Sequence, residues 1–217
     1  MTYPITMNHV SYAYPKSKKN VLHDLSLNFE AGKLIGVVGK SGVGKTTLLS
    51  LLSGLSLPQS GEIIINGVNL LNKDRYTYRS KEIGVIFQSY NLLPHLTALE
   101  NVILGIDVSG LKVKNKKVKA LELLKSVGLD EATAHRKILK CSGGEQQRIA
   151  IARTLAYDPS IILADEPTGN LDPETTQSII TLFKQLAYEQ NKCVIIVTHS
   201  SDVAKECDEI ITLKKNH

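Results

Sequence analysis

The sequence predicts an α/β fold in which a mixed, mostly parallel sheet core carries helices on its flanks. Three observations lead there. Short apolar runs at residues 34–38, 83–88, 161–164 and 193–198 read as buried strands. Helical patterns at 46–53 and 173–190 alternate with those strands, the order that builds parallel sheets. Residues from about 89 to 155 turn mostly helical and more polar, and so read as a helical insertion.

Residues 6–14 and 24–30 are the first β-like runs, and the run 34–38 follows them. Next comes Gly39-Lys40-Ser41-Gly42-Val43-Gly44-Lys45-Thr46-Thr47, a glycine-rich loop that opens a helix. Residues 61–67 read as a strand closed by an Asn66-Gly67 turn. The helical section includes an amphipathic stretch at 120–128, ended by Gly128, and a run at 149–155 after Ser142-Gly143-Gly144-Glu145. A last strand is expected at 208–213. No internal repeat or low-complexity linker breaks the chain, so its 217 residues read as one domain, 1–217.

Composition removes several classes of function. Hydrophobic residues make up 42% of the chain, but no run approaches the roughly 18 apolar residues that mark a membrane-spanning helix. Residues 1–10 show neither a basic n-region nor an apolar h-region, so secretion is not expected. Cys141, Cys193 and Cys207 are too few and too irregular for a disulfide or metal framework, which points to a reduced cytoplasmic protein. The net charge of +5 comes from interspersed residues of both signs. One cluster stands out, namely Lys112, Lys114, Lys116, Lys117 and Lys119. It reads either as a solvated helix face or as a surface drawn to anionic lipid, at about 1 kcal/mol per near-surface lysine.

Three constellations carry chemistry. The first is the loop from Gly39 to Thr47, which fits the phosphate-loop pattern G-x-x-x-x-G-K-[ST] between a strand and a helix. Glycines let backbone N–H groups crowd around phosphate oxygens at a helix N-terminus. Lys45 is expected on the β- and γ-phosphates, and the Thr46 hydroxyl on Mg²⁺. The second is Asp165-Glu166, at the end of an apolar strand, where α/β folds bind ligands. Neighbours on a strand face opposite sides, so Asp165 is expected to hold Mg²⁺ and Glu166 to polarise the attacking water. The third is Ser142-Gly143-Gly144-Glu145 before a helix, a second anion site made of a hydroxyl, exposed N–H groups and a positive dipole end. One chain thus holds two phosphate-type helix starts for one phosphate-bearing ligand.

Ser142-Gly143-Gly144-Glu145-Gln146-Gln147-Arg148, the phosphate loop and the Asp-Glu pair, in this order, resemble the nucleotide-binding domain of ATP-binding cassette transporters. The likeness covers essentially the whole chain. It implies a P-loop NTPase of that type, with a core and antiparallel β subdomain at about 1–88 and 156–217 and a helical subdomain at about 89–155. It also implies ATP with Mg²⁺ and ATP hydrolysis. Gln88 looks like the Q-loop glutamine that senses Mg²⁺ and water, Gly169-Asn170-Leu171-Asp172 like the D-loop, and His199 like the switch histidine. Tyr14 matches the aromatic that stacks on adenine, and Tyr12 competes for that role because both could face outward from one strand. The nucleotide-binding set implied is Tyr14, Gly39, Ser41, Gly42, Gly44, Lys45, Thr46, Thr47, Ser142, Gly143, Gly144 and Glu145. Glu166, His199, Gln88 and Lys45 are the catalytic set, and Thr46, Gln88 and Asp165 hold the metal.

In the family, the Ser-Gly-Gly helix of one subunit completes the other subunit's phosphate site. The resemblance therefore implies a homodimer that closes on ATP, at the cytoplasmic face of the membrane, beside a separate integral membrane permease. The run from Leu163 to Asp172 resembles the subgroup serving lipoprotein release, macrolide and antimicrobial-peptide efflux, and cell division. Export is the expectation, and a cell-division or cell-wall regulator acting through a membrane partner without transport is the alternative. Nucleic-acid-handling relatives fit poorly, because Gln88 and Ser142 are only 54 positions apart and the chain holds one set of motifs. Residues 89–102 fall where the family's surface receives the permease. Three departures stand out: Cys141 in place of the usual leucine, Ser200 where aspartate is common, and Thr46 in place of serine.

Overall fold

The computed structural model describes residues 3–15 and 20–214. Met1 and Thr2, which open the segment read above for a leader, lie outside the described residues. In chain order the elements are β1 (Ile5–Tyr12), β2 (Leu22–Phe29), β3 (Leu34–Val38), α1 (Lys45–Leu52), β4 (Ser60–Ile65) and β5 (Val68–Asn69). A single turn, α2 (Arg75–Thr77), precedes β6 (Ile83–Phe87). Then come α3 (Ala98–Ser109), α4 (Lys116–Ser126), α5 (Glu131–Ala134) and α6 (Gly143–Thr154). The chain returns through β7 (Ile161–Asp165), α7 (Pro173–Tyr188), β8 (Cys193–Thr198), α8 (Ser201–Lys205) and β9 (Glu209–Thr212).

β6, β7, β8, β3 and β9, in that order, form a sheet whose pairings are all parallel. Strand alternation sorts its side chains into two cores. Ile162, Ala164, Val194 and Ile196 face one core with residues of α3, α4, α6 and α7. Ile161, Leu163, Ile195 and Val197 face the other, with Leu48, Leu51 and Leu52 of α1 and residues of the second sheet. Burial on both faces explains why these strands read as unbroken apolar runs.

The second sheet is antiparallel, in the order β2, β1, β4, β5. The Asn66-Gly67 pair makes the expected two-residue hairpin, with Ile65 opposite Val68. The run expected at 6–14 ends as a strand at Tyr12. The Gln59 side chain replaces the ladder there. Its amide oxygen takes the Ala13 N–H at 2.9 Å, and its nitrogen donates to the Ala13 carbonyl at 3.2 Å.

Side-chain caps set the helix starts. Thr97 and Glu100 form a reciprocal capping box at α3, and Asp172 caps α7 with Pro173 at its first position. The amphipathic stretch expected at 120–128 is part of a longer helix. Asn115 caps it, so three of the clustered lysines, Lys116, Lys117 and Lys119, lie in its first turns.

Close packing makes Gly84 of β6 a sensitive position, because a Cβ there would collide with Cγ2 of Thr154 and sit 3.1 Å from Cγ of Pro159. Gly84→Ala should lower stability by about 1–3 kcal/mol through overpacking. Adding Thr154→Ser, which removes the colliding methyl, should recover part of that loss in urea unfolding. Equal stability of wild type and Gly84→Ala would show that the contact does not constrain the sheet.

Candidate nucleotide site

The carboxyl ends of the parallel strands meet at a cleft. Tyr14, the loop and helix residues Ser41, Gly42, Gly44, Lys45, Thr46 and Thr47, and the strand-end residues Gln88, Asp165 and Glu166 line it. The loop after β3 takes left-handed conformations at Gly42 (φ 76) and Gly44 (φ 108), which side-chain-bearing residues rarely adopt. Gly39 is held tightly, since a Cβ would lie 2.7 Å from Val43 Cγ1 and 2.9 Å from the Leu213 carbonyl. Gly44 is the N-cap of α1, so the unpaired N–H groups and positive end of that helix open beside the cleft.

Lys45 Nζ donates to the Gly39 carbonyl at 2.7 Å and the Lys40 carbonyl at 3.3 Å. Its ammonium therefore lies over the loop that precedes it. Thr46 is exposed, whereas Thr47 is buried and its Oγ1 shares a 2.8 Å hydrogen bond with the Tyr14 hydroxyl. The two tyrosines do not compete from one strand face, as the sequence had suggested. Tyr12 ends β1 and packs half-buried on the core, while Tyr14, beyond the strand, lines the cleft. Their rings meet edge to face, with centroids 5.4 Å apart, so Tyr12 props Tyr14.

The two acids differ, but not by strand alternation. Asp165 is the last residue of β7, and Glu166 has already left the strand with φ 46, a strained value for a residue with a Cβ. A 2.9 Å bond from the Glu166 N–H to the Val197 carbonyl fixes this turn. The Glu166 carboxylate accepts from His199 Nδ1 at 2.7 Å, from Thr198 Oγ1 at 3.1 Å and from the His199 N–H at 3.3 Å. An ionised carboxylate only accepts, so His199 must carry a proton on Nδ1. Burial raises the pKa of Asp165, the Glu166 charge adds to the rise, and the Lys45 ammonium opposes it.

Gln88 follows β6, and its Nε2 donates to Asn170 Oδ1 at 3.4 Å. Asp172 spends both carboxylate oxygens on Thr175, at 2.9 Å to the N–H and 2.6 Å to the hydroxyl, and so acts as the cap of α7. Thr46, Gln88 and Asp165 offer a hydroxyl, an amide oxygen and a carboxylate. This all-oxygen set suits Mg²⁺, which takes one or two carboxylates and relies on substrate phosphates and water for the rest. Among the described residues no group of three His, Cys, Asp or Glu side chains could hold a metal without that help.

The Ser-Gly-Gly segment is elsewhere. Ser142, Gly144 and Glu145 line a separate concavity with Arg148, Glu174 and Thr175. Ser142 caps α6, and a capping box joins it to Glu145, with 3.2 Å and 2.8 Å bonds. Gly144 is required by close approach, because a Cβ would lie 2.6 Å from Thr175 Cγ2 at the start of α7. Gly143 begins the helix beside Tyr90 and Leu171. Burial works against the Glu145 charge, but the Ser142 N–H and the Arg136 guanidinium outweigh it and lower its pKa. Cys141 is buried, its thiol reaching the Lys137 carbonyl at 3.6 Å, and its carbonyl accepts from Gln146 Nε2 at 2.9 Å. Ser200 caps α8 through the Val203 N–H at 3.4 Å, a task aspartate could also perform.

Two arginines and an asparagine escaped the sequence reading. Arg136 holds Glu145 at 2.6 Å. Arg153 donates to the carbonyls of Asn91 at 2.7 Å and Tyr90 at 3.0 Å, tying α6 to the turn after Gln88, where both residues have positive φ. Asn101, fully buried, holds both the N–H and the carbonyl of Leu93. No local pattern marks any of the three: Arg136 reaches the motif from six positions before it, and Arg153 and Asn101 bind backbone atoms.

A family model described as ABC transporter matches residues 22–169. The chain is 42% identical over 211 residues to the uncharacterized ABC transporter ATP-binding protein YclH of Bacillus subtilis, covering 97% of this chain and 93% of that one. It is also 42% identical to the lipoprotein-releasing system ATP-binding protein LolD of Rickettsia bellii, over 97% of this chain and 95% of LolD. Among solved structures, the ATP-binding cassette MJ0796, a dimer in a post-hydrolysis state bound to ADP and Pi, superposes with a TM-score of 0.87 at 38% identity. The match covers 97% of this chain and 94% of that one. With the phosphate loop, the acidic pair and the capped Ser-Gly-Gly helix arranged on this α/β fold, the chain belongs to the ABC transporter family as an ATP-binding ATPase.

Proposed function

We propose that two copies of this chain sandwich two ATP molecules and drive a separate membrane permease. The observation that carries this reading is the separation of the two anion sites. The phosphate loop, Asp165 and Glu166 line one cleft, while Ser142 and Gly144 line another on the same chain. A two-fold dimer gives the second site a ligand, because each Ser-Gly-Gly helix start can cap the triphosphate held by the other copy. The solved MJ0796 cassette, dimeric and bound to ADP and Pi, supports this arrangement.

The proposed chemistry uses the cleft residues in defined roles. Tyr14 stacks on the adenine, held by Thr47 and Tyr12. Loop N–H groups and Lys45 bind the β- and γ-phosphates, moving charge onto groups fixed before reaction. Thr46, Asp165 and Gln88 would hold Mg²⁺, which would neutralise developing phosphate charge. Glu166 accepts a proton from the attacking water, work typically worth about 10²–10⁴-fold. His199 positions Glu166 through the Nδ1 hydrogen bond and faces the γ-phosphate.

The permease reading rests on the family and on the surface after Gln88. Leu93 and Pro94 are exposed there, on a turn held by Arg153 and Asn101, and Phe87 is exposed beside them at the end of β6. Docking at this turn would put the ATPase at the cytoplasmic face of the membrane as a peripheral subunit. No helix among the described residues is long and apolar enough to cross a membrane. The relatives named for lipoprotein release favour lipoproteins as the cargo, and the subgroup that residues 163–172 resemble adds peptides and drugs as alternatives.

Glu166→Gln should bind ATP without turning it over and accumulate as an ATP-dependent dimer in size-exclusion chromatography with light scattering. A monomer at saturating ATP would contradict the sandwich. Tyr14→Ala should weaken ATP binding about tenfold, in line with about 1–3 kcal/mol for base stacking on an aromatic. Tyr14→Phe should lose less, since it keeps the ring and drops only the Thr47 hydrogen bond. Titration of ATP against both variants distinguishes the ring from the hydroxyl, and unchanged affinity in Tyr14→Ala would remove the stacking role.

A further inference from the structure

The lysine cluster takes no part in the nucleotide site. It occupies the corner where α3 turns into α4. Gly110 ends α3, the Ser109 hydroxyl accepts the Leu111 N–H at 3.2 Å, and Asn115 starts α4. Lys116 pairs with Asp107 across the corner. Asp107 is the only acidic residue between positions 101 and 121, with Glu100 and Glu122 just outside that stretch. Lys112, Lys114, Lys117 and Lys119 form no ion pair among the described residues, and the first three are exposed. Between them the fold leaves aliphatic side chains in solvent, with Val108 57%, Leu111 45% and Val118 49% exposed. A concavity at the corner is lined by Leu111, Lys112, Val113 and Lys114 together with the Asp107–Lys116 pair.

We infer that this corner is a docking surface for an anionic lipid bilayer. Uncompensated lysines alternating with exposed aliphatic side chains match a headgroup layer above acyl chains. The ammonium groups meet phosphates while their alkyl stems and the valine and leucine side chains enter the apolar boundary. Nucleic acid fits less well, because positions 101–121 hold no arginine and no aromatic side chain for phosphate forks or base stacking. The inference rests on the membrane-peripheral role proposed above. It adds a direct lipid contact to the contact with the permease.

The test is co-sedimentation of the full chain with vesicles of phosphatidylglycerol and phosphatidylcholine, against vesicles of phosphatidylcholine alone. Wild type should bind the anionic vesicles and not the neutral ones. The combined K112E, K114E and K117E variant should lose at least about tenfold in binding, and Leu111→Ser should also weaken it. ATP hydrolysis in solution should be the same in all of these, which keeps a failure of lipid binding distinct from a failure of the ATPase reading. Full binding by the triple variant, or no preference of wild type for anionic vesicles, would overturn the lipid surface. So would binding to duplex DNA or to an acidic peptide as tight as that to vesicles.

Discussion

Parallel pairing of β6, β7, β8 and β3 is the constraint on which the rest of the structure depends. Parallel strands end on the same edge, so register rather than sequence brings the strand ends together: Phe87 lies opposite Asp165, Asp165 opposite Val197, and Val38 opposite Thr198, one residue further on. Every catalytic candidate follows one of those four ends directly or by a single loop. Gln88 follows Phe87, Glu166 follows Asp165, His199 follows Thr198, and Lys45 is reached through the loop after Val38. Burial of both sheet faces fixes this register, because a slip of one residue would exchange the side chains of the two cores.

Glu166 shows how the scaffold is used for chemistry. Its left-handed backbone costs energy, of order 1–3 kcal/mol for such outliers, and is held by the bond to Val197. That turn swings the carboxylate toward the end of β8, where His199 and Thr198 bind it. The Ser-Gly-Gly helix is built just as firmly, through Glu145, Arg136 and Thr175, but it lines a different concavity. In the proposed dimer these two rigid halves face each other, and ATP is the element that joins them.

Much of this was legible in the sequence. The buried parallel strands announce themselves as apolar runs, the Asn66-Gly67 hairpin through its turn chemistry, and the loop after β3 through its glycines, of which Gly42 and Gly44 take positive φ. What was not legible depends on distant partners. Strand β1 stops at Tyr12 because of Gln59, 46 positions beyond Ala13, and Glu166 departs from strand geometry because β8 captures it. Thr47 reads like a second phosphate ligand, yet its hydroxyl serves Tyr14. Arg136 and Arg153 carry no pattern at all, since one completes a cap and the other binds backbone carbonyls.

The central claim is that each nucleotide is enclosed by two copies of the chain, and mixing two defective variants tests it most directly. Lys45→Ala spoils the phosphate loop and leaves the Ser-Gly-Gly helix intact, whereas Ser142→Arg does the reverse. In a mixed dimer, one site receives both defects and the other receives neither. Hydrolysis measured on the mixture should therefore reappear although each variant alone is inactive. Continued inactivity of the mixture, with mixed dimers demonstrated by differential tags, would contradict the account.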